Sequence, residues 1–317
     1  MTPLVIWASR PIPEPFVERL AEHRLIVGGV DAIPDDVDAM VAAARPNFGE
    51  EFMRAHPQLR VIARTGTGFD SVDVDAATRH DILVCTNPGD AAVVATAEHA
   101  LALLFAASKK LEFTRHLIRT GEQDSFSRYT SKQLGGACAG IIGYGRIGQA
   151  FAKLVRGLGL EVAYYDPWVV SSEEDVTRYD DLPTMLANVD VVSLHAPLTP
   201  ATSGLVDASF LAAMRPGSVL VNTSKGALID EQALADALES GHLFAAGLDA
   251  SHIEPMPADA PLYDRTDVVL SPQVGASTHE AKASLWNTVI DQILAGCAGD
   301  VPVGALNPQV LTDASDR

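Results

Sequence analysis

Short apolar runs alternate along the chain with longer stretches whose apolar residues have the spacing of a helix. Short runs that are apolar throughout are typical of strands buried on both faces, as in a parallel sheet covered by helices. The alternation therefore predicts an α/β protein with two parallel-sheet domains. The predicted strands comprise residues 4–8, 60–63, 83–85, 139–142, 162–165, 191–194, 218–221 and 268–270.

Two helical patterns differ in how apolar residues are distributed around the helix axis. The first has one apolar stripe, which predicts a helix packed through a single side. Its apolar positions are Ile147, Phe151, Leu154, Val155 and Leu158. The second pattern, from about residue 93 to 111, is apolar almost all round. It predicts a helix buried between domains or between subunits, and the sequence does not decide which.

Turn-forming residues indicate two domain boundaries. The first is the cluster NPGD at residues 87–90, and the second lies near residues 275–282. We predict one domain from residues 1–95 together with 281–317, and another from residues 96–280. The tail has a helical pattern and is expected to pack on the first domain.

Composition and charge narrow the class of protein. Of 317 residues, 47% are hydrophobic and 20% are charged, which excludes a disordered chain. The 23 Lys and Arg against 41 Asp and Glu give a net charge of −18, which disfavours binding to nucleic acid. The longest purely apolar run, residues 100–107, is short for a membrane span of about 20 residues, so no membrane association is expected.

Cysteines, histidines and the N-terminal residues bear on the compartment and on metals. Cys85, Cys138 and Cys297 are an odd number at scattered spacing, which favours a reducing compartment without disulfides. The first residues, MTPLVIW, have neither the basic region nor the cleavage site of a signal peptide. We therefore expect a cytoplasmic protein. The histidines show no H-x-x-x-H spacing, so no metal site is expected.

The sequence GYGRIG at residues 143–148 lies between a predicted strand and the helix with one apolar stripe. In that context G-x-G-x-x-G is typical of a dinucleotide-binding loop. Gly143 permits a tight turn, Gly145 the approach of a diphosphate, and Gly148 close packing of helix on strand. Free N–H groups at the helix start would bind the phosphates. The alternative is a glycine-rich turn of some other α/β protein.

An acidic residue follows the glycine-rich sequence at about the distance expected for a dinucleotide-binding loop. Asp166 ends the next predicted strand, 18 residues after Gly148, where the usual offset is about 20. Its carboxylate would accept hydrogen bonds from the ribose hydroxyls of adenosine and repel a 2′-phosphate. Pro167 and Trp168 offer no compensating cation. The sequence therefore predicts NAD rather than NADP as the cofactor.

Several segments in the right order resemble the D-isomer-specific 2-hydroxyacid dehydrogenase family, close to its short phosphoglycerate dehydrogenase-like members. They are LRVIARTGTGFDSVDVDAA (59–77), TAEHALALL (96–104), GIIGYGRIG (140–148), HAPLTPAT (195–202), MRPGSVLVNTSKGALIDEQAL (214–234), GLD (247–249) and LSPQVGAS (270–277). The resemblance implies a flavodoxin-like substrate domain and a Rossmann NAD-binding domain, with cofactor and substrate in the cleft between them. It also implies a homodimer built on the long apolar helix.

The resemblance also implies which residues form the site. Those expected at the cofactor are Tyr144, Gly145, Arg146, Ile147, Asp166, His195, Ala196, Pro197, Thr202, Thr223, Ser224, Asp249, Gly275 and Ala276. Within this set, His195 to Pro197 would line the adenine side, Thr223 and Ser224 the nicotinamide ribose, and Asp249 the carboxamide. Those expected at the substrate are Arg45, Arg64, Thr67 and Gly68. The alternatives are that Arg64 forms a structural ion pair and that His195 is a packed loop histidine.

The chain departs from the family at two catalytic positions. The family uses an arginine, a glutamate and a histidine, and only the glutamate is matched here, by Glu254. The family pattern N-x-S-R-G reads NTSKG at residues 222–226, so Lys225 replaces the arginine. The family pattern S/T-P-H reads SPQ at residues 271–273, so Gln273 replaces the histidine. Lysine lacks the planar fork of arginine, and glutamine does not exchange a proton near neutral pH.

Three interpretations follow. In the first, Lys225 transfers the proton and Gln273 only orients the carbonyl oxygen of a 2-hydroxy or 2-keto acid. In the second, the substrate is not an ordinary 2-hydroxy acid but an atypical anionic compound, whose chemistry needs no histidine. Arg45 and Arg64 suit an anionic compound. In the third, the chain binds NAD(H) as a regulatory or catalytically weak family member.

Overall fold

The structure, a computed structural model, describes residues 2–43, 47–66, 68–69, 71–121, 127, 129–170 and 175–312. The chain forms two compact units, a first unit of residues 1–91 with 279–317 and a second unit of residues 92–278. The strands are β1 (Val5–Ala8), β2 (Arg24–Val27), β3 (Ala39–Ala42), β4 (Val61–Arg64), β5 (Leu83–Cys85), β6 (Cys138–Ile142), β7 (Glu161–Tyr165), β8 (Thr177–Arg178), β9 (Val191–Leu194), β10 (Ser218–Asn222), β11 (Leu243–Leu248) and β12 (Val268–Leu270).

The helices of the described residues mostly follow strands. They are α1 (Glu50–Ala55), α2 (Val74–Arg79), α3 (Asp90–Ser108), α4 (Leu111–Thr120), α5 (Arg146–Gly157), α6 (Leu182–Asn188), α7 (Ala208–Ala213), α8 (Glu231–Glu239), α9 (His279–Ala298) and α10 (Gln309–Thr312). Several begin at an aspartate whose carboxylate accepts a hydrogen bond from a backbone N–H of the first turn, which satisfies a donor that has no helical partner. Asp73, Asp181, Asp207 and Asp230 act in this way.

The first unit is built on a five-stranded sheet with the order β2-β1-β3-β4-β5. All of its pairs are parallel. This order is that of the flavodoxin-like fold. Helix α9 packs on the sheet through Trp286, Val289, Ile290 and Ile293, in one core with strands β1, β3, β4 and β5. Residues 279–317 thus lie in the first unit.

The second unit is built on a seven-stranded parallel sheet with the order β12-β11-β10-β9-β6-β7-β8. Counted from β6 as the first strand, this is the Rossmann order 3-2-1-4-5-6 with β12 added beside the sixth strand. The order reverses between β6 and β9, which pair directly. In open α/β sheets ligands bind at the carboxyl ends of the strands beside such a reversal. The predicted α/β class with two parallel sheets is therefore confirmed.

Four strands were not predicted from the apolar pattern, namely β2, β3, β8 and β11. Strand β2 lies at a sheet edge and is only partly buried, and β8 has two exposed residues. Strands β3 (AMVA) and β11 (LFAAGL) are rich in alanine, which has a low strand propensity. Their burial between neighbours, rather than their composition, makes them strands.

The long apolar helix α3 is a core helix of the second unit. Ala97, Ala100, Leu103, Leu104 and Ala107 share a core with strands β6, β9, β10 and β11. By length and composition alone the helix could cross a membrane. Its packing against the sheet accounts for the apolar residues of its buried face, whereas Val94 is 53% exposed.

Candidate cofactor and active site

The three glycines of the glycine loop, residues 143–148, differ in what a Cβ atom at each position would meet. Gly143 has φ +90°, and a Cβ there would lie 2.5 Å from the backbone nitrogen of Ala196, so the loop touches the segment after β9. A Cβ on Gly148 would overlap the carbonyl oxygen of Gly143. A Cβ on Gly145 would meet nothing within 4 Å. Space therefore lies open beside Gly145, where a bound diphosphate is expected.

Helix α5 starts at this open space. Gly145 precedes its first turn, no side chain caps it, and the first turn holds no acidic residue. The free N–H groups and the helix dipole favour an anion at this point. Arg146 and Ile147, expected at the cofactor, form the first two positions of the helix.

Asp166 fixes the geometry around the glycine loop. Its Oδ2 accepts a hydrogen bond of 2.8 Å from the backbone N–H of Tyr144, and its Oδ1 accepts from the N–H groups of Trp168 (2.8 Å) and Val169 (3.1 Å). A carboxylate has about four acceptor positions, so roughly one stays available for a ribose hydroxyl. The ring of Tyr144 is buried and stacks on Tyr164 at 4.1 Å, so its backbone rather than its side chain belongs to the loop.

His195 lies at the end of β9 with its ring turned inward. Its Nε2 is 2.9 Å from Ser193 Oγ, and its ring packs at 5.2 Å on Phe151. Burial lowers the pKa of this imidazole to about 3, so it is neutral in the folded protein. The ring of His195 is thus packed, and its place on the adenine side stays a prediction.

The segment after His195 is held by two hydroxyl groups, one of its own and one from the segment after β10. Thr202 Oγ1 donates to the carbonyl oxygen of Pro197 at 2.6 Å, and Ser224 Oγ donates to that of Ala196 at 2.6 Å. The neighbouring Thr223 differs, because its buried Oγ1 has no hydrogen-bond partner among the described residues. A buried hydroxyl without a partner is costly, and a ribose hydroxyl placed beside it would satisfy it.

Asp249 organises the glutamine loop, residues 271–275. Its Oδ1 accepts from Ser271 Oγ (2.6 Å) and from the N–H of Val274 (3.0 Å), and its Oδ2 accepts from the N–H of Gly275 (2.8 Å). Burial raises the pKa of Asp249, and hydrogen bonds from His99, Ser271, Val274 and Gly275 outweigh it, so the net shift is downward. The carboxylate is therefore ionised and holds the loop. Ala276, also expected at the cofactor, is exposed next to it.

The three predicted catalytic residues come together in the second unit. The amide of Gln273 is oriented by its neighbours, since an ammonium only donates and a carboxylate only accepts hydrogen bonds. In that orientation Lys225 Nζ donates to Gln273 Oε1 at 2.7 Å. Gln273 Nε2 donates to Glu254, at 2.8 Å from Oε2 and 3.0 Å from Oε1. The result is a continuous chain of hydrogen bonds, Lys225–Gln273–Glu254.

A close backbone contact explains how Lys225 reaches this chain. A Cβ on Gly226 would overlap the carbonyl group of Ser251 and lie 2.5 Å from the nitrogen of His252. Only glycine allows this approach of the segment after β10 to the segment that leads to Glu254. Asn222 holds the turn, because its Nδ2 donates to the carbonyl oxygen of Lys225 at 2.9 Å.

The residues expected at the substrate lie in the first unit. Arg64 is 4% exposed, and its Nε and Nη2 donate to the carbonyl oxygen of Gly68 at 3.3 and 3.2 Å, while Nη1 donates to that of Ala43. The guanidinium thus supports two loops at the carboxyl ends of β3 and β4. Arg45 and Thr67 lie outside the described residues.

Sequence reasoning missed two residues of this site, His99 and Ser271. His99 Nε2 lies 2.8 Å from Ser271 Oγ and 3.2 Å from Asp249 Oδ1. The signal was a single histidine in the mostly apolar segment TAEHALALL. Elsewhere in the part of the chain that the structure describes, no group of three or more His, Cys, Asp or Glu side chains is arranged for a metal ion.

The fold, the open space at Gly145 and the unpartnered Thr223 hydroxyl together define a dinucleotide-binding α/β protein. Comparison with known proteins agrees. The family model described as D-isomer specific 2-hydroxyacid dehydrogenase, NAD binding domain, matches residues 101–275, more than half of the chain. The chain therefore belongs to the D-isomer specific 2-hydroxyacid dehydrogenase family and contains its NAD-binding domain.

Some of the similar proteins are named D-3-phosphoglycerate dehydrogenase and others glyoxylate reductase. A D-3-phosphoglycerate dehydrogenase of Mycobacterium leprae is 39% identical over 283 residues, which are 87% of this chain and 52% of the relative. A glyoxylate reductase of Thermococcus litoralis is 34% identical over 287 residues, covering 88% of this chain and 86% of the relative. The crystal structure of the TT0316 protein from Thermus thermophilus has a TM-score of 0.86 at 31% identity, covering 96% of this chain and 100% of that one. The chain thus spans about half the length of the phosphoglycerate dehydrogenases that it matches.

Proposed function

We propose that the chain is an NAD-dependent oxidoreductase that transfers a hydride between nicotinamide and a small 2-hydroxy or 2-keto acid, with Lys225, Gln273 and Glu254 as its catalytic set. The observation that carries the proposal is the chain of hydrogen bonds that joins these three side chains. It starts and ends at the carboxyl edge of a Rossmann sheet, where a cofactor and its substrate are expected.

Lys225 is the proposed acid and base. Reduction of a keto group adds a proton to the carbonyl oxygen, and bound NADH supplies the hydride to the carbon. An ammonium has three N–H donors, and Lys225 uses one of them on Gln273. The others are left for the carbonyl oxygen and the carboxylate of a substrate. Lys225 is exposed, so water can return the proton after each turnover.

Gln273 has a different role from the one expected from sequence. The sequence led us to expect that Gln273 orients the carbonyl oxygen of the substrate. In the structure its Nε2 faces the Glu254 carboxylate, and its Oε1 accepts a hydrogen bond from Lys225. The Glu254 carboxylate holds the Gln273 amide in one orientation, and the amide oxygen in turn holds the Lys225 ammonium in place. Gln273 therefore acts as the link that positions Lys225.

The proposed substrate is a small anionic acid. A lysine ammonium at the reacting centre favours a carboxylate, and the names of the relatives point to glyoxylate and to 3-phosphoglycerate as compounds to try. We also propose a homodimer, because Val94, Leu111 and Ile118 of helices α3 and α4 are 53%, 52% and 81% exposed. Exposed apolar side chains commonly mark an interface where they form one patch, and the family resemblance implies a dimer built on the same long helix.

Two measurements test the function. Titration with NADH, followed by the fluorescence of the nucleotide, measures binding. Oxidation of NADH, followed by absorbance with glyoxylate, hydroxypyruvate, pyruvate and 3-phosphohydroxypyruvate, measures hydride transfer. We expect both to be positive. Binding without turnover of any acid would contradict the proposed enzyme and support a regulatory family member, and absence of binding would contradict the cofactor as well.

A further inference from the structure

The glutamine loop is held in an unusual backbone conformation. Gln273 has φ +53°, in the left-handed region that residues other than glycine rarely adopt. Such a conformation persists only where surrounding contacts determine it. The backbone N–H of Gln273 donates to the carbonyl oxygen of Asp249 at 2.5 Å, and the Asp249 carboxylate accepts from the loop on both of its oxygens.

His99 approaches the same carboxylate from helix α3. Because Asp249 is ionised and only accepts, the Ser271 hydroxyl donates its hydrogen to Oδ1 of Asp249. The oxygen of Ser271 is then the acceptor for His99 Nε2 at 2.8 Å, which assigns the hydrogen of the imidazole to Nε2. The hydrogen bonds run in one direction, from His99 through Ser271 to Asp249.

Close packing leaves little freedom on this side of the loop. A Cβ on Gly275 would lie 2.9 Å from Asp249 Oδ2 and 3.3 and 3.4 Å from Cδ2 and Cβ of His99. The His99 ring therefore covers the carboxylate and the end of the loop together. Without the ring, the carboxylate and the Ser271 hydroxyl would lose a donor and gain space to move.

We propose that His99 is a positioning residue for the proposed reaction, because its bond to Ser271 and its contact with Asp249 hold the glutamine loop so that Gln273 reaches both Lys225 and Glu254. The proposal rests on the function proposed above. His99 acts through Ser271 and Asp249, not on the substrate, so its loss displaces a correctly charged Lys225 rather than removing it. A displacement of about 1 Å at a reacting group costs up to about 100-fold in rate.

Three variants test the proposal. His99→Leu removes the donor, and His99→Gln restores a side-chain N–H at about the distance of Nε2. His242→Leu is the matched control, since His242 is a half-buried histidine of the same unit whose Nε2 lies 2.9 and 3.0 Å from the carbonyl oxygens of Leu211 and Met214, outside the loop.

The first readout is hydrogen–deuterium exchange of the loop in the intact protein, which needs no turnover. We expect faster exchange of the Val274 and Gly275 amides in His99→Leu, recovery in His99→Gln, and no change in the loop for His242→Leu. Unchanged exchange of these amides in His99→Leu would overturn the proposal. A wild-type protein without dehydrogenase activity would contradict the function, yet this exchange would still test His99.

The second readout is the kinetics with the best keto acid. We expect kcat to fall about 10- to 100-fold in His99→Leu with a smaller change in KM, and to recover to within about threefold in His99→Gln. An equal loss of kcat in His99→Leu and His242→Leu would show a general effect of stability and overturn the positioning role.

Discussion

Lys225 Nζ lies 2.7 Å from Gln273 Oε1, and these are the two residues that we propose in place of the arginine and the histidine of the family. The pair consists of one positive charge and one amide that does not titrate. Any proton transfer within this set must therefore use the lysine or the glutamate, and Lys225 is the group with N–H donors to spare.

Replacement of Lys225 separates proton transfer from simple charge. We expect Lys225→Ala to lower kcat by about 10²- to 10⁴-fold, the usual loss for a general acid or base. Lys225→Arg should lose nearly as much, because arginine keeps the charge but does not release its proton. Steady-state NADH oxidation checks both, with Lys153→Ala on the exposed side of α5 as the control. Full activity in Lys225→Arg would show that only the charge matters.

Gln273→His should introduce a new titration into the pH profile. Histidine tolerates a left-handed backbone better than most residues, so φ +53° is no obstacle. The Glu254 carboxylate would stabilise its imidazolium and the Lys225 ammonium would oppose it, so its pKa should stay near the usual value of about 6.5. We expect kcat/KM of the variant to gain an ionisation near about pH 6.5 that the wild type lacks. Gln273→Gly, which keeps the backbone conformation but removes the amide, should show no such ionisation.

Two glycines of the glycine loop should respond in opposite ways. Gly145 has φ −76° and open space at its Cβ position, so Gly145→Ala should leave the free energy of unfolding within about 0.5 kcal/mol of wild type while weakening NADH binding. Gly148→Ala would overlap the Gly143 carbonyl oxygen and should destabilise the protein by about 1–3 kcal/mol. Urea unfolding and NADH titration of both variants check this. Normal NADH affinity in Gly145→Ala would place the diphosphate elsewhere.

His195 should make stability depend on pH below neutrality. Its folded pKa of about 3 lies below the value of about 6.5 in an unfolded chain, so the unfolded state binds more protons between these values. The stabilisation is complete above about pH 6.5 and is lost as the pH falls toward 3, by at most about 1.4 kcal/mol per pH unit. Urea unfolding at pH 7 and pH 5.5 should show a smaller difference for His195→Gln than for wild type. The exposed His252→Gln variant, as the control, should behave like wild type, and an unchanged difference in His195→Gln would contradict the prediction.

Much of the fold was predictable because a strand buried on both faces is visible in the sequence as a short apolar run. The runs at β4, β9 and β10 are apolar almost throughout, and the glycine loop follows directly from a strand and a helix beside it in sequence. The alanine-rich β3 and β11 are apolar as well, but alanine has a low strand propensity, so their own residues did not distinguish a strand from a buried helix.

The site was predictable only in part. The sequence named Lys225, Glu254 and Gln273 but gave Gln273 a contact with the substrate, whereas its amide is taken by the other two side chains. Arg64 was expected at the substrate as a cation, and its guanidinium faces backbone carbonyl oxygens. In both cases the residue type was visible in the sequence and the direction of its hydrogen bonds was not.

By itself the sequence determined the parallel sheets and the dinucleotide loop and singled out Lys225, Glu254 and Gln273, because each depends on residue types within a short stretch. Only the tertiary structure decided that a lysine, an amide and a carboxylate from three different loops form one chain. It also decided that His99 meets Ser271, 172 positions further along. Such contacts depend on the order of the strands in the sheet and on glycines that allow two backbone segments to approach. Both are determined by residues far along the chain from those that come into contact.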